Sequence, residues 1–369
     1  MVPTIAVGHS WSSMLTEIDR IPTSGARAVE PFRHNGTLYL VIPQLAADAP
    51  GQPPSMTGGN SDVDSLVLSW RNGCFVEHQR LPITGGEDAE FFRIGERAFL
   101  ATATLRSGQG PYRYDVASTI FELAQRTFVP FQTVATFGAK QWKHFTFAGR
   151  HFLALAQGVV MQGYPNVKSL IYEWNGETFI PFQEIDSAWG YNWAFFETAG
   201  NKFLAYADHT APSVIYRWSG KGFERFQPLD GKSGRAFCAF DFSGQSWLAF
   251  ANLLEQTLLY RWDGQAYTLH QELSGPGGRE FAWIEVGGDG YLVQVQFILG
   301  SREEPRPQLD SIIYRWANGT LVPTRAFQTT GGTDAAFFND GGRHYLAISN
   351  SLSNDLRFKS ESRVYRFQP

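Results

Sequence analysis

Short runs of alternating apolar and polar residues fill this chain, and no stretch of comparable length has the 3.6-residue period of an amphipathic helix. The runs are rich in aromatic and β-branched residues and are bounded by Gly, Asn and Asp, which predicts strands. The predicted strands repeat. The pattern Ser-x-φ-Tyr-x-Trp (φ apolar) recurs from Ser65, Ser118, Ser169, Ser213, Thr257, Ser311 and Ser362, at spacings of 53, 51, 44, 44, 54 and 51 residues. Seven copies of a unit of this length predict propeller blades.

Each unit holds four predicted strands. The copy beginning near Glu87 reads EDAEFFRIG, RAFLATAT, STIFEL and TFVPFQTV. The first-to-second joints include Asn35-Gly36, Gly95-Glu96, Ala199-Gly200 and Ser243-Gly244. The third-to-fourth joints include Asn72-Gly73, Asn175-Gly176, Asp263-Gly264 and Asn318-Gly319. These pairs favour tight hairpins. The last copy ends at Phe367 without a fourth strand, and LTEIDRIP from Leu15 matches FVEHQRLP from Phe75. The expectation is an all-β, seven-bladed β-propeller. It forms one domain over 1–369 with repeats at about 15–367, and an N-terminal strand closes the last blade against the C-terminal one, which removes the exposed edges a linear array of sheets would carry.

Stacking the copies gives a consensus close to S-x-φ-Y-x-W-x-G-x-F-x-x-F-Q, followed by a glycine-led aromatic strand and φ-L-A-x-A-N. This resembles the EAR repeat, also called the epitempin or EPTP repeat, found in the leucine-rich glioma-inactivated proteins and in bacterial chains. The resemblance runs from Leu15 to Phe367. It implies an interaction domain. No leucine-rich repeats accompany the propeller here, so the neuronal partners are not carried over.

Composition narrows the options. Lys plus Arg number 31 and Asp plus Glu 35, for a net charge of −4, which argues against a nucleic-acid partner. Two cysteines make neither a disulfide framework nor a zinc cluster. No apolar run reaches membrane-spanning length, and the N-terminal residues carry no leader pattern. A cytoplasmic location is therefore expected, or a secreted one if the chain is a processed fragment.

Tight joints on one face leave the long second-to-third loops on the other: Leu45–Asp64, the loop from Leu105, and the loop from Phe297. A protein, glycan or small molecule is expected there. Trp11 and Trp189 fall outside the repeat, and Trp189 and Tyr191 in one interblade connection are a candidate aromatic anchor.

The innermost strands should line the channel. Aligned on Phe32, Phe92, Phe145, Phe196, Phe240, Ile284 and Phe338, they place Ala28, Asp88, Gln141, Asn192, Ala236, Glu280 and Asp334 in one ring. Glu30, Glu90, Lys143, Ala194, Cys238, Ala282 and Ala336 form a second. Residues two apart share a face, so Asp88, Glu90, Glu30 and Asp334 are expected to meet near the axis. Such a cluster raises its own pKa values unless a cation compensates. Calcium, which takes six to eight oxygens, is one answer. Gln141, Asn192 and Glu280 are possible further donors, and the other answer is a wetted wall with Lys143 as counter-ion. The Asp-Ala-Glu at 88–90 is similar to an acidic D-x-E of the EAR inner strand, and that resemblance implies bound calcium. Gln141 and Asn192 double as ligand-binding candidates with Trp189 and Tyr191.

No hydrolase, zincin, Walker or dinucleotide motif is present. The alternative to a scaffold is an isomerase, cyclase or hydrolase acting at the channel mouth. Its candidate groups are Glu30, Glu90 and Glu280 as acid or base, with Asp208 and His209, the one adjoining Asp-His pair. It requires a pocket shared by Glu30, Glu90, Trp142, Trp193 and Glu280. The polar residues ending each second strand (Gln44, Thr104, Gln157, Asp208, Asn252, Gln296, Asn350) are expected to cap the blades.

Overall fold

The computed structural model describes residues 14–231 and 233–369; Trp11 and the N-terminal stretch read for a leader lie outside them. Within them are seven four-stranded antiparallel sheets, one small two-stranded hairpin and no helix. Six blades run in chain order. Blade 1, for example, comprises Glu30–His34, Thr37–Ile42, Ser65–Arg71 and Cys74–Leu81. Blade 7 combines Gly332–Asp340, Arg343–Asn350 and Lys359–Phe367 with Leu15–Ser24, which pairs antiparallel from Leu15↔Phe367 to Ser24↔Lys359. The expected closure is therefore formed.

Seven of the eight predicted turn pairs take two forms, and Gly95-Glu96 has positive φ at Gly95 alone. Asn35-Gly36, Asn72-Gly73 and Asn318-Gly319 have positive φ at both residues, as a type I′ turn requires. Asn175 and Asp263 instead cap wider loops: their carboxamide and carboxylate oxygens accept the amides of Glu177 and Thr178, and of Gln265 and Ala266.

The repeat residues have identifiable tasks. The leading serine hydroxyl accepts the amide at the end of the second strand, as Ser65 does from Gln44 and Ser169 from Gln157. The glycine that opens the next inner strand passes directly over it. A Cβ at Gly234 would lie 2.5 Å from Ser213 Oγ, and one at Gly190 would lie 1.9 Å from the Tyr206 hydroxyl. Large side chains fill the spaces between blades. Trp142 and Trp193 are among the most buried, and Val29, Ala89, Phe237, Phe281 and Ala335 occupy the equivalent position. The repeat tryptophans pack in the outer layer, as Trp70 does against Phe75 and Phe338.

Each outer strand is bulged against the third strand in all seven blades, twice in blade 5 and once in the others. Five outer strands also carry a proline: Pro22, Pro130, Pro181, Pro228 and Pro323. Bulges and prolines blunt the exposed edge against pairing with another chain.

The outer strands are also fastened to one another. Gln183 of blade 3 accepts the Phe223 amide of blade 4 at 2.8 Å and donates to the Phe223 carbonyl at 2.7 Å. Gln79, Gln132, Gln227 and Gln271 repeat this pair of bonds to Phe128, Phe179, Tyr267 and Leu321. Asp19 accepts the Phe75 amide across the blade 7–blade 1 seam.

Candidate functional site

The inner strand of each blade is an edge strand facing the channel, so some of its amides have no partner in their own sheet. The predicted channel residues supply the acceptors from the preceding blade. Asp88 accepts the Trp142 amide, Gln141 that of Trp193, Asn192 that of Phe237, and Asp334 that of Val29. One step deeper, Glu30 accepts the Phe91 amide and Glu90 the His144 amide. Asp88 and Glu90 thus share a direction, as the alternation predicted. The Gln141 and Asn192 side-chain oxygens, candidates for ligand binding, are thus each engaged by the next blade. Glu280 is the exception, turning back to its own Phe281 amide.

The acids face a common narrow space. Burial, followed by the Glu90 charge, holds the Glu30 and Asp88 carboxyls well above the usual range. Burial and Asp334 do the same to Glu280, and burial raises Asp334 to about 6. Lys143 answers one of them, 3.2 Å from Glu90, and that contact raises its own pKa. Among the described residues Asp88, Glu30 and Glu90 each keep an oxygen without a protein donor. Hard oxygens in excess of nearby positive charge are the right donor chemistry for calcium. Their spacing is not yet that of a site: among the described residues no three His, Cys, Asp or Glu side chains stand close enough to hold a metal ion.

The pocket required by the enzymatic alternative does not form. Trp142 and Trp193 are buried between blades rather than lining the channel with Glu30, Glu90 and Glu280. Asp208 is fully buried and spends its carboxylate on the amides of Ala188, Trp189, Thr210 and Ala211, a loop cap. His209 bonds Arg235 rather than Asp208; burial and the Arg235 charge lower its pKa to about 4. Gln44, Gln157 and Asn350 are likewise caps, each tying the approach to an inner strand to the start of a third strand. Cys74 and Cys238 are free thiols.

Sequence reasoning missed a ring at the long-loop mouth, one residue before the first acidic ring. The ladder skips a residue there in five blades, leaving Glu87, Tyr191, Arg235, Arg279 and Thr333 bulged. Arg27 and Lys140 hold the same place in blades 1 and 3, where their amides reach the Pro43 and Ala156 carbonyls. The bulge turns these side chains toward the axis. Tyr191 of blade 4 consequently lies near Lys140, Arg235 and Arg279 of three other blades, at 5.1, 3.9 and 5.3 Å from its ring. The alignment column itself, basic in four copies, was the available signal.

The long loops form a built surface. Arg106 in the second loop donates to Ser61 Oγ and to the Thr57 and Gly58 carbonyls of the first, and Tyr112 donates to the Gly59 carbonyl. Asp48 accepts the amides of Phe358 and Lys359 across the closing seam. Beneath the loops an apolar layer includes Leu45, Leu105, Phe137, Leu253, Phe297 and Phe358. Trp189 packs partly into this layer with its indole N–H buried and unpartnered, and Tyr191 turns into the channel, so the two are not an exposed pair.

A family model of the EPTP domain matches residues 127–175, 178–219 and 222–263, all within blades 2 to 5. The chain carries EPTP repeats. It is 28% identical over 218 residues to the human "Thrombospondin-type laminin G domain and EAR repeat-containing protein", and 30% identical over 211 residues to its mouse counterpart. Each match covers 55% of this chain and 30% of the relative, so the chain spans under a third of these relatives' length. Among the described residues no helix is long and apolar enough to cross a membrane.

Proposed function

We propose that this EPTP-repeat propeller is a binding scaffold that docks a protein, or a glycan on one, through its long-loop face. The observation that carries this is the preassembly of that face: loops from blades 7, 1 and 2 are cross-tied by Arg106, Tyr112 and Asp48 before any partner arrives. A surface already ordered loses little entropy on docking. The opposite face offers only short hairpins. The test attaches a bulky group through cysteine, at Thr57 on the loop face or at Gly244 on the hairpin face, and measures capture of a binding partner from surface-protein preparations. Loss of capture with the Thr57 adduct alone supports the reading, whereas equal loss or equal retention overturns it.

A cation on the axis belongs to the same proposal. Calcium held by Asp88, Glu30, Glu90 and Asp334 would supply the missing positive charge and stiffen the joint between blades 7, 1, 2 and 3. Native mass spectrometry should then show a calcium adduct that a chelator removes, and Asp88→Ala should melt lower than the parent in calcium. A bare chain, or identical melting with and without chelator, removes calcium from the proposal.

A further inference from the structure

We propose that the long-loop mouth of the channel is a binding site for a small oxyanion, bearing a phosphate, sulfate or carboxylate group, gripped by Arg27, Lys140, Arg235 and Arg279. The inference goes beyond the scaffold reading and stands without it. Four cations from four blades converge here on one carboxylate, Glu87, and one phenol, Tyr191. Glu87 makes only long contacts, 3.7 Å to Arg27 and 3.9 Å to Lys140. Arg27 Nε is buried with no hydrogen-bond partner. Arg279 has no ion-pair partner among the described residues, though its side chain is largely buried. Arg235 is buried, and its hydrogen bonds among the described residues go to neutral groups, His209 and the Gly234 carbonyl.

Unpaired buried cations are costly, and a structure that gathers them normally provides an anion. Arg106, the other nearby arginine, shows the contrast. All of its bonds go to Ser61 and to backbone carbonyls, so it is a structural tie. The deeper acids Glu280 and Asp334 lie within electrostatic reach of Arg279, but among the described residues none of the deeper acids makes a close ion pair with the mouth cations; Lys143 takes that contact in its own layer. Guanidinium groups donate in a planar fork that matches oxyanions. Arg27 and Tyr191 are only partly covered, which leaves the cluster open to solvent.

The experiment is calorimetric titration and thermal melting of the intact chain with inorganic phosphate and with citrate, against sodium chloride of matched ionic strength. Saturable binding of either, with a rise in Tm, is expected, and the stronger of the two assigns the head group. Arg279→Gln should abolish that response, and in anion-free buffer it should melt at or above the parent because repulsion is relieved. Glu87→Gln, which leaves all four cations in place, should tighten binding about three- to tenfold. No saturable response in the parent overturns the site. So does an unchanged response in Arg279→Gln, or weaker binding in a folded Glu87→Gln. If Arg279→Gln fails to fold, the parent and Glu87→Gln titrations decide.

Discussion

The blades are joined twice, at the outer rim and at the inner edge, and the two joints differ in kind. At the rim the same residue does the same work in five blades: a glutamine accepts an amide and donates to a carbonyl of one residue in the next blade. At the inner edge the acceptors are carboxylates in some blades, amides in two others, and absent where Ala28 and Ala236 stand. A neutral amide satisfies both backbone groups without a charge to disperse. A carboxylate satisfies only the N–H and adds repulsion in a narrow space. The rim joint is chemically matched to holding blades together, while the inner joint carries charge that blade contact alone does not call for. That excess points to the channel as the part of the repeat used for something besides folding.

The largest expected effect tests the rim. Gln183→Ala leaves the Phe223 N–H and carbonyl without partners at a half-buried seam, which should cost about 2–6 kcal/mol at roughly 1–3 per orphaned group. Urea unfolding checks it. A loss under about 0.5 kcal/mol would mean that water replaces the glutamine and that the rim is not a staple. Asp88→Asn tests the inner edge with the opposite sign. The amide oxygen still accepts the Trp142 N–H while the charge repelled by Glu90 and Asp334 disappears. In chelator the variant should therefore gain about 1 kcal/mol, the order of one screened charge contact. A loss of stability there would show the acid belt to be balanced already, and the contrast between the joints would fail.

Period and spacing made the scaffold legible. Seven Ser-x-φ-Tyr-x-Trp copies gave the blade count, and the likeness of the Leu15 strand to the Phe75 strand gave the closure. The acid rings were also readable, because residues 88 and 90 obey a strict two-residue alternation. The mouth ring was not, because a bulge breaks that alternation one residue earlier. Strict alternation puts residue 87 on the opposite side from residue 88, whereas the bulge turns Glu87, Tyr191, Arg235 and Arg279 to the axis. By that alternation Tyr191 reads as part of an exposed connection. Similarly, the glutamine of F-x-x-F-Q was visible as consensus, but its partner lies some 40–50 residues away in the next blade, and one sequence carries no trace of that contact.

The smallest effect sharpens the comparison through pH. Burial raises the Asp334 pKa from 3.8 to about 6. Between those values the folded chain holds a proton that the unfolded chain has released, so stability from this group falls as pH rises and is fully lost above about 6. Asp334→Asn, which keeps an oxygen for the Val29 amide, removes that slope. In chelator the variant should melt close to the parent at pH 4 and above it at pH 7, with the gap opening mainly between those values. His144 and His209, lowered to about 3 and about 4, act in the opposite direction. Each is neutral in the fold and favours unfolding as pH drops below about 6.5, in parent and variant alike, so the difference between the two curves isolates the carboxylate. Gln183→Ala, which removes no charge, should show a gap independent of pH. If both variants gave flat differences, the inner joint would be as neutral in effect as the rim, and its carboxylates would be held ionised by a compensating charge even in chelator.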